Sequence, residues 1–231
     1  MYVSKKGEIG LVVVLLLIIT SAGFIGYKYS QSDNSLTGAV IGPQDFAIQG
    51  ICGGATTCLC GDEVTSSYML SDPLTGCTGS GNEVALTIGA DDVTIDCRDF
   101  SIVGGGDPGG MGIYNPGFDN VLIKNCDIQS FERGINFFLD PIYGELHGAQ
   151  IINTTITYSD IGIFLNNNDT LIDNVEVTLT TSKGISLDQT SRNVTIVNST
   201  FSNNDGADIY IDGRSGDQLN HTLYRKRLSK H

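Results

Sequence analysis

Glu132, Arg133 and Asp160 are the residues of this chain whose types and spacing come nearest to making a site. Two carboxylates beside a guanidinium can hold a hydrated cation such as Ca2+, or hydrogen-bond the hydroxyls of a sugar. A second group lies in one stretch, "FFLDPIYGELHG" at 137–148, which carries Phe138, Asp140, Tyr143, Glu145 and His147. Aromatic rings offer a sugar a flat apolar surface, and the polar neighbours can bond its hydroxyls. Each group has a plainer reading. The first is a solvated turn whose local ion pair is worth under about 1 kcal/mol. The second is an irregular connection with its aromatics folded onto the body. His147 has no second histidine nearby, so it makes no metal site by itself.

What could position these residues is a repeat. "DVTIDCRDF" (92–100), "NVLIKNCDI" (120–128), "GAQIINTTI" (148–156), "DTLIDNVEV" (169–177) and "NVTIVNSTF" (193–201) align without gaps. Ile95, Ile123, Ile151, Ile172 and Ile196 share one column; Phe100, Ile128, Ile156, Val177 and Phe201 share another. A short motif follows most rows: "GIY" at 112, "GIN" at 134, "GIF" at 162, "GIS" at 184, and "DIY" at 208. Within a row the apolar residues alternate with period two, so Val121 and Ile123 face one way and Leu122 and Lys124 the other. A unit of roughly 22 residues cannot bury its apolar face alone and must stack on its neighbours. Short strands, turns and no helical period describe an all-β, parallel β-helix of about five to six rungs, spaced by about 4.8 Å. A leucine-rich solenoid is excluded by the missing Leu-x-x-Leu-x-Leu frame.

Asn125, Asn153, Asn174 and Asn198 occupy one column where the first strand of each row meets its turn. The alternation predicts that they face inward, as a structural ladder in which stacked amides satisfy one another. On that reading the glycosylation sequons at Asn153 and Asn198 are shielded, and Asn168, Asn193 and Asn220 are the better acceptors. The rest of the row supplies a catalytic test. Asp96 and Asp173 share an outward column but lie three rungs apart, roughly 14 Å. Paired carboxylates that cleave glycosides need about 5 to 9.5 Å, so this pair fails.

The six cysteines are Cys52, Cys58, Cys60, Cys77, Cys97 and Cys126. Their even number in an exported body predicts disulfides, paired Cys52–Cys58, Cys60–Cys77 and Cys97–Cys126. The last pair sits one rung and one residue apart, roughly 6 Å between Cα atoms, within disulfide reach. The rival, a metal site from Cys52, Cys58, Cys60 and Cys77, lacks the paired C-x2-C knuckles of common zinc modules.

Ile9 to Gly26 carries no charge. As a helix these residues span roughly 27 Å, enough to cross a bilayer's hydrocarbon. Lys5 and Lys6 precede the span and keep the N-terminus cytoplasmic. The expected layout is a cytoplasmic N-terminus (1–8), a transmembrane signal anchor (9–26) and a tether (27–50). A Cys-rich cap with the first rung (51–90), the repeats (91–212) and a basic tail (213–231) follow. Cleavage of a secretory signal near "TSA" is the alternative. "KKGEIGLVVVLL" also resembles prepilin-type leaders, which are cut after a glycine such as Gly7. All three place the body outside the cytoplasm. Between residues 29 and 224 acidic side chains outnumber basic ones 25 to 6, a surface that repels nucleic acid and anionic lipid.

The stretch running from "CGDEVTSSYMLSDPLTGC" through "LTIGADDVTIDCRDF" to "GIYNPGFDNVLIKNCDIQSFERGINF" resembles right-handed parallel β-helix proteins of the pectate-lyase-like superfamily, including NosD-like members. The resemblance covers about residues 60–211 and implies right-handed coiling and an N-terminal cap. Lyases of the superfamily use calcium-binding carboxylates with an Arg or Lys base, and its hydrolases carry "GHG" and "RIK"; neither string occurs here. NosD-like members are linked to copper-site maturation, but the three Met and three His of this chain are scattered. The expectation is therefore a membrane-anchored, extracytoplasmic, non-catalytic module, with no cofactor, that touches glycans or envelope proteins and not nucleic acid. A polysaccharide lyase or hydrolase, with Ca2+ as its possible ion, and a pilin-like subunit are the alternatives.

Overall fold

In the computed structural model the described residues are 50–77, 84–106, 110–138, 147–213 and 222–223. They fall within the unit Phe46–His231. The expected anchor, nearly all of the tether, most of the basic tail, and Asp140, Tyr143 and Glu145 lie outside them.

The described chain winds as an all-β right-handed solenoid of about six turns. Each full coil lays down three short strands, and coils stack so that equivalent strands pair parallel and in register. The first strip holds Val84–Ile88, Met111–Asn115, Arg133–Phe137, Ile161–Leu165, Lys183–Leu187 and Ala207–Ile211, preceded by shorter strands Ile51–Cys52 and Asp62–Val64. The second runs from Tyr68–Met69 through Thr94–Asp96 and Leu122–Lys124 to Thr195–Val197 and Thr222–Leu223. The third runs from Leu74–Cys77 through Ser101–Gly104 and Asp127–Gln129 to Thr200–Ser202. Two long strands, Gln150–Thr157 and Leu171–Thr178, pass through both of these strips and join them into one sheet.

The columns of the repeat are the core. Ile95, Ile123, Ile151, Ile172 and Ile196 pair in sequence across the second strip and are buried. Leu86, Ile113, Ile135, Ile163 and Ile185 do the same in the first. Each fully buried aliphatic side chain contributes roughly 1.5–3 kcal/mol, so one column outweighs any surface interaction of the molecule. The glycine of each "GI" motif faces the neighbouring rung. A Cβ on Gly134 would lie 2.7 Å from the carbonyl oxygen of Gly162, and one on Gly162 would lie 2.6 Å from that of Gly184. Asp208 replaces glycine on the last described rung of this strip, where no described strand pairs beyond it.

Two register expectations need correction. Phe100 does not stand over Ile128; Ile102 does. That rung spends two extra residues at its turn, where Arg98 and Asp99 both take positive φ, and Phe100 packs only partly against the core. The second correction concerns the asparagine column. Asn153, Asn174 and Asn198 are exposed and Asn125 is half-buried. All four have φ between 50° and 54°. One left-handed residue turns the strand and resets its alternation, so Ile152 and Asn153 both point outward before Thr154 returns inside. A strictly alternating strand could not show this. Asparagine tolerates that backbone better than most residues.

The amides stack on the outside nonetheless. Asn174 Nδ2 donates to Asn153 Oδ1 (2.7 Å), Asn153 Nδ2 to Asn125 Oδ1 (2.7 Å), and Asn125 Nδ2 to Asp96 Oδ1 (2.9 Å). Asn198 leaves the file and donates to Asp173 Oδ1 at 2.9 Å. The sequon asparagines Asn153 and Asn198 are thus at the surface.

Three disulfides join Cys52–Cys58, Cys60–Cys77 and Cys97–Cys126, with Cα separations of 5.0, 5.1 and 4.8 Å. The double substitution Cys97→Ala/Cys126→Ala should lower unfolding stability by about 2–4 kcal/mol, measured by denaturant titration against the parent. In the ladder, Asn153→Ala should cost about 1–2 kcal/mol, chiefly because it strains the left-handed corner, with a smaller part from the two exposed ladder bonds that it removes. Asn153→Gly, which relieves the backbone, should cost less; equal losses would show that the corner conformation contributes nothing.

Candidate functional site

The outer face of the third strip is built from the residues that alternate with the core. Asp127, Thr155, Glu176 and Thr200 form one outward column, and Gln129, Thr157, Thr178 and Ser202 form the next. Their spacing is the rung repeat of about 4.8 Å. Where this strip meets the second, the asparagine corner projects beyond it. The step between ladder and strip encloses a shallow groove of about 360 Å³, lined by Asp127, Asn153, Thr155, Asn174, Glu176 and Thr200 among others. Amides, hydroxyls and carboxylates without a basic side chain in the lining make a surface that bonds hydroxyl groups and repels anions.

The residues singled out by type and spacing are not gathered there. Register places Glu132 and Asp160 on adjacent rungs, at the corner that enters the first strip. Asp160 Oδ1 accepts from the Thr181 hydroxyl at 2.7 Å. Arg133 lies on the outside of the first strip, its guanidinium 4.8 Å from the centre of the Phe164 ring and 3.4 Å from Asn136 Oδ1. Phe138 packs at 6.2 Å from the same Phe164 ring. His147 is at the opposite end of that strip, with Nδ1 3.1 Å from Asp169 Oδ2. Five strand residues, Arg133–Phe137, separate the two ends, so His147 and the Glu132–Arg133–Asp160 cluster do not form one site. Among the described residues no group of three or more His, Cys, Asp or Glu is placed to hold a metal ion.

A second line of corner residues escaped the reading of the repeat. Asp92, Asn120, Gly148, Asp169 and Asn193 all have positive φ and stand three residues before the isoleucine column. Asn120 Nδ2 donates to Asp92 Oδ1 (3.0 Å) and Asn193 Nδ2 to Asp169 Oδ1 (2.9 Å). Gly148 interrupts the file because a Cβ there would collide with Asn120. The signal was present in the recurring Asp or Asn that opens four of the five rows.

Charge is tuned at the foot of the first ladder. Burial works to raise the Asp96 carboxyl. The Asn125 amide, the Arg98 backbone N–H and Lys124, whose Nζ lies 3.2 Å from Oδ2, outweigh it and hold the group below the ordinary carboxylate range. A folded pKa below the unfolded one contributes stability that is present above the unfolded value, about 3.9, and is lost as pH falls through the folded one. Acid titration of the unfolding midpoint should therefore show a smaller loss below about pH 4 in Asp96→Asn than in the parent. Superimposable profiles would remove Asp96 from the acid response.

The family model for the right-handed beta helix region matches residues 73–224. No curated protein and no solved structure matches the chain. The match covers most of the chain, and the described residues form a right-handed solenoid. The chain belongs to the right-handed β-helix family.

Proposed function

We propose that this protein is a membrane-anchored, extracytoplasmic surface module that binds neutral glycans without cleaving them. The observation that carries the reading is the groove beside the asparagine ladder. Its lining is hydroxyl, amide and carboxylate, repeated at rung spacing on a rigid scaffold. A polyhydroxylated chain matches such a lining along its length, whereas a polyuronate would meet Asp127, Glu176 and an acidic body. The uncharged segment 9–26 supplies the anchor, and three disulfides suit an oxidising compartment.

One observation favours a hydrolase as the second reading: Asp127 and Glu176 border the same groove. They stand two rungs apart, which is roughly 10 Å between backbone positions and at the far edge of the spacing for inverting glycosidases. Full-length protein in detergent should be retained by at least one neutral glycan on an array and should release no reducing ends from it, with or without Ca2+. Turnover that Glu176→Gln abolishes would establish the hydrolase instead. A mature N-terminus at Glu8 would favour a pilin-like subunit over the anchored module.

A further inference from the structure

Four successive coils have a third left-handed corner, where the third strip turns into the first. Its column reads Ser130, Tyr158, Leu179 and Asn203, with φ of 62°, 56°, 60° and 58°. Register puts Tyr158 and Leu179 on adjacent rungs, because Thr157 pairs with Thr178 immediately before them. Ten of the fourteen non-glycine residues with positive φ are Asp or Asn. The other four are Arg98, Ser130, Tyr158 and Leu179, and of these Tyr158 and Leu179 stand side by side with bulky, largely apolar side chains for which the conformation is costly. They are also 61% and 44% exposed, so burial compensates that cost only in part. Asparagine would serve the fold better at both positions, as it does at Asn203. Two bulky exceptions, side by side and at the surface, mark a position shaped by something other than stability.

The two side chains stand at the far edge of the strip that carries the groove. Thr155 and Thr157 lead from the groove to Tyr158, and Glu176 and Thr178 lead to Leu179. Three residues at about 3.3 Å each put the corner roughly 10 Å from Thr155. Next to it the Asp160 carboxylate is bonded to the Thr181 hydroxyl. The strip therefore runs from an amide- and hydroxyl-lined groove, across two threonine-containing columns, to an aromatic ring with an aliphatic neighbour. A sugar chain has this same composition: hydroxyl edges and apolar ring faces.

We infer that Tyr158, with Leu179 beside it, is the stacking platform on which a neutral glycan lying across the third strip rests one of its sugar rings. The inference builds on the glycan-binding reading and adds the residues that would anchor the chain's far end. An anionic membrane as occupant is disfavoured by the acidic surface around the corner. A second copy of the protein is distinguishable by its mass in solution.

The decisive variant is Tyr158→Asn, which removes the ring and places there the residue type most frequent at the left-handed corners. Full-length parent and variant are compared on immobilised mannan, galactan and β-glucan, together with their melting temperatures. Tyr158→Asn should melt at least as high as the parent, by up to about 2–4 °C more, while losing about three- to tenfold in affinity for whichever polysaccharide retains the parent. Tyr158→Phe, which keeps the ring, should bind like the parent. If the parent binds a polysaccharide and Tyr158→Asn binds it equally, the platform falls while the glycan reading stands. If the parent binds none of the three, both fall. If light scattering shows a dimer that Tyr158→Asn dissociates, the corner is a self-association surface instead.

Discussion

The described coils turn without a helix, and from Asp92 onward most of their turns are made on left-handed residues. That constraint organises everything else. An L-amino acid with a Cβ resists positive φ, and Asp and Asn resist it least. Placing them at the corners therefore sets where each strand ends. Because the corners of successive coils lie one above another, the same side chains that permit the turn can bond along the stack. Asp96, Asn125, Asn153 and Asn174 form one continuous file of this kind. Asp92–Asn120 and Asp169–Asn193 form two shorter pieces of another. The files lock the register that brings each isoleucine over the next.

The turns also decide what the surface offers. A left-handed residue makes two consecutive side chains point outward, which lifts the amide file clear of the third strip and leaves a groove at its foot. Stability resides in the buried columns and the files, so the outward positions between corners are free to vary in chemistry. From Asp127 onward they are hydroxyl and carboxylate on the third strip, with the amide of Gln129 among them. On the first strip they include cation–aromatic pairs, with Arg133 over Phe164 and Lys183 at 3.7 Å from the centre of the Tyr210 ring. The corner at Tyr158 and Leu179 follows neither the stability rule nor the hydroxyl pattern, and that departure sets it apart from the rest of the scaffold.

The N-terminal end solves a different problem. Before Val84 the strands are two to four residues long and the repeat is weak. Short ladders hold little, and the chain there is stapled by Cys52–Cys58 and Cys60–Cys77. The third bridge, Cys97–Cys126, ties two rungs at the one turn that carries two extra residues and no asparagine. Covalent links thus stand where the repeating interactions are thinnest.

The amino-acid sequence alone determined the repeat, and with it the parallel stacking, the isoleucine columns and the cysteine pairs. These depend on spacing along the chain, and a period of two with matched rows has few ways to bury its apolar side. Only the tertiary structure decided which way the asparagines face and where the site lies. Handedness at a corner depends on one φ angle, which composition does not reveal, and one such residue inverts the alternation after it. Phe100 lost its column to Ile102 for the same reason, since Arg98 and Asp99 lengthen that turn. Glu132, Arg133, Asp160 and His147 were legible as reactive types. Their distribution to opposite ends of the first strip was not, because it follows from how many residues each coil spends between corners. The groove was invisible in any single row: its walls are Asp127, Thr155, Glu176 and Thr200, brought together from four different coils.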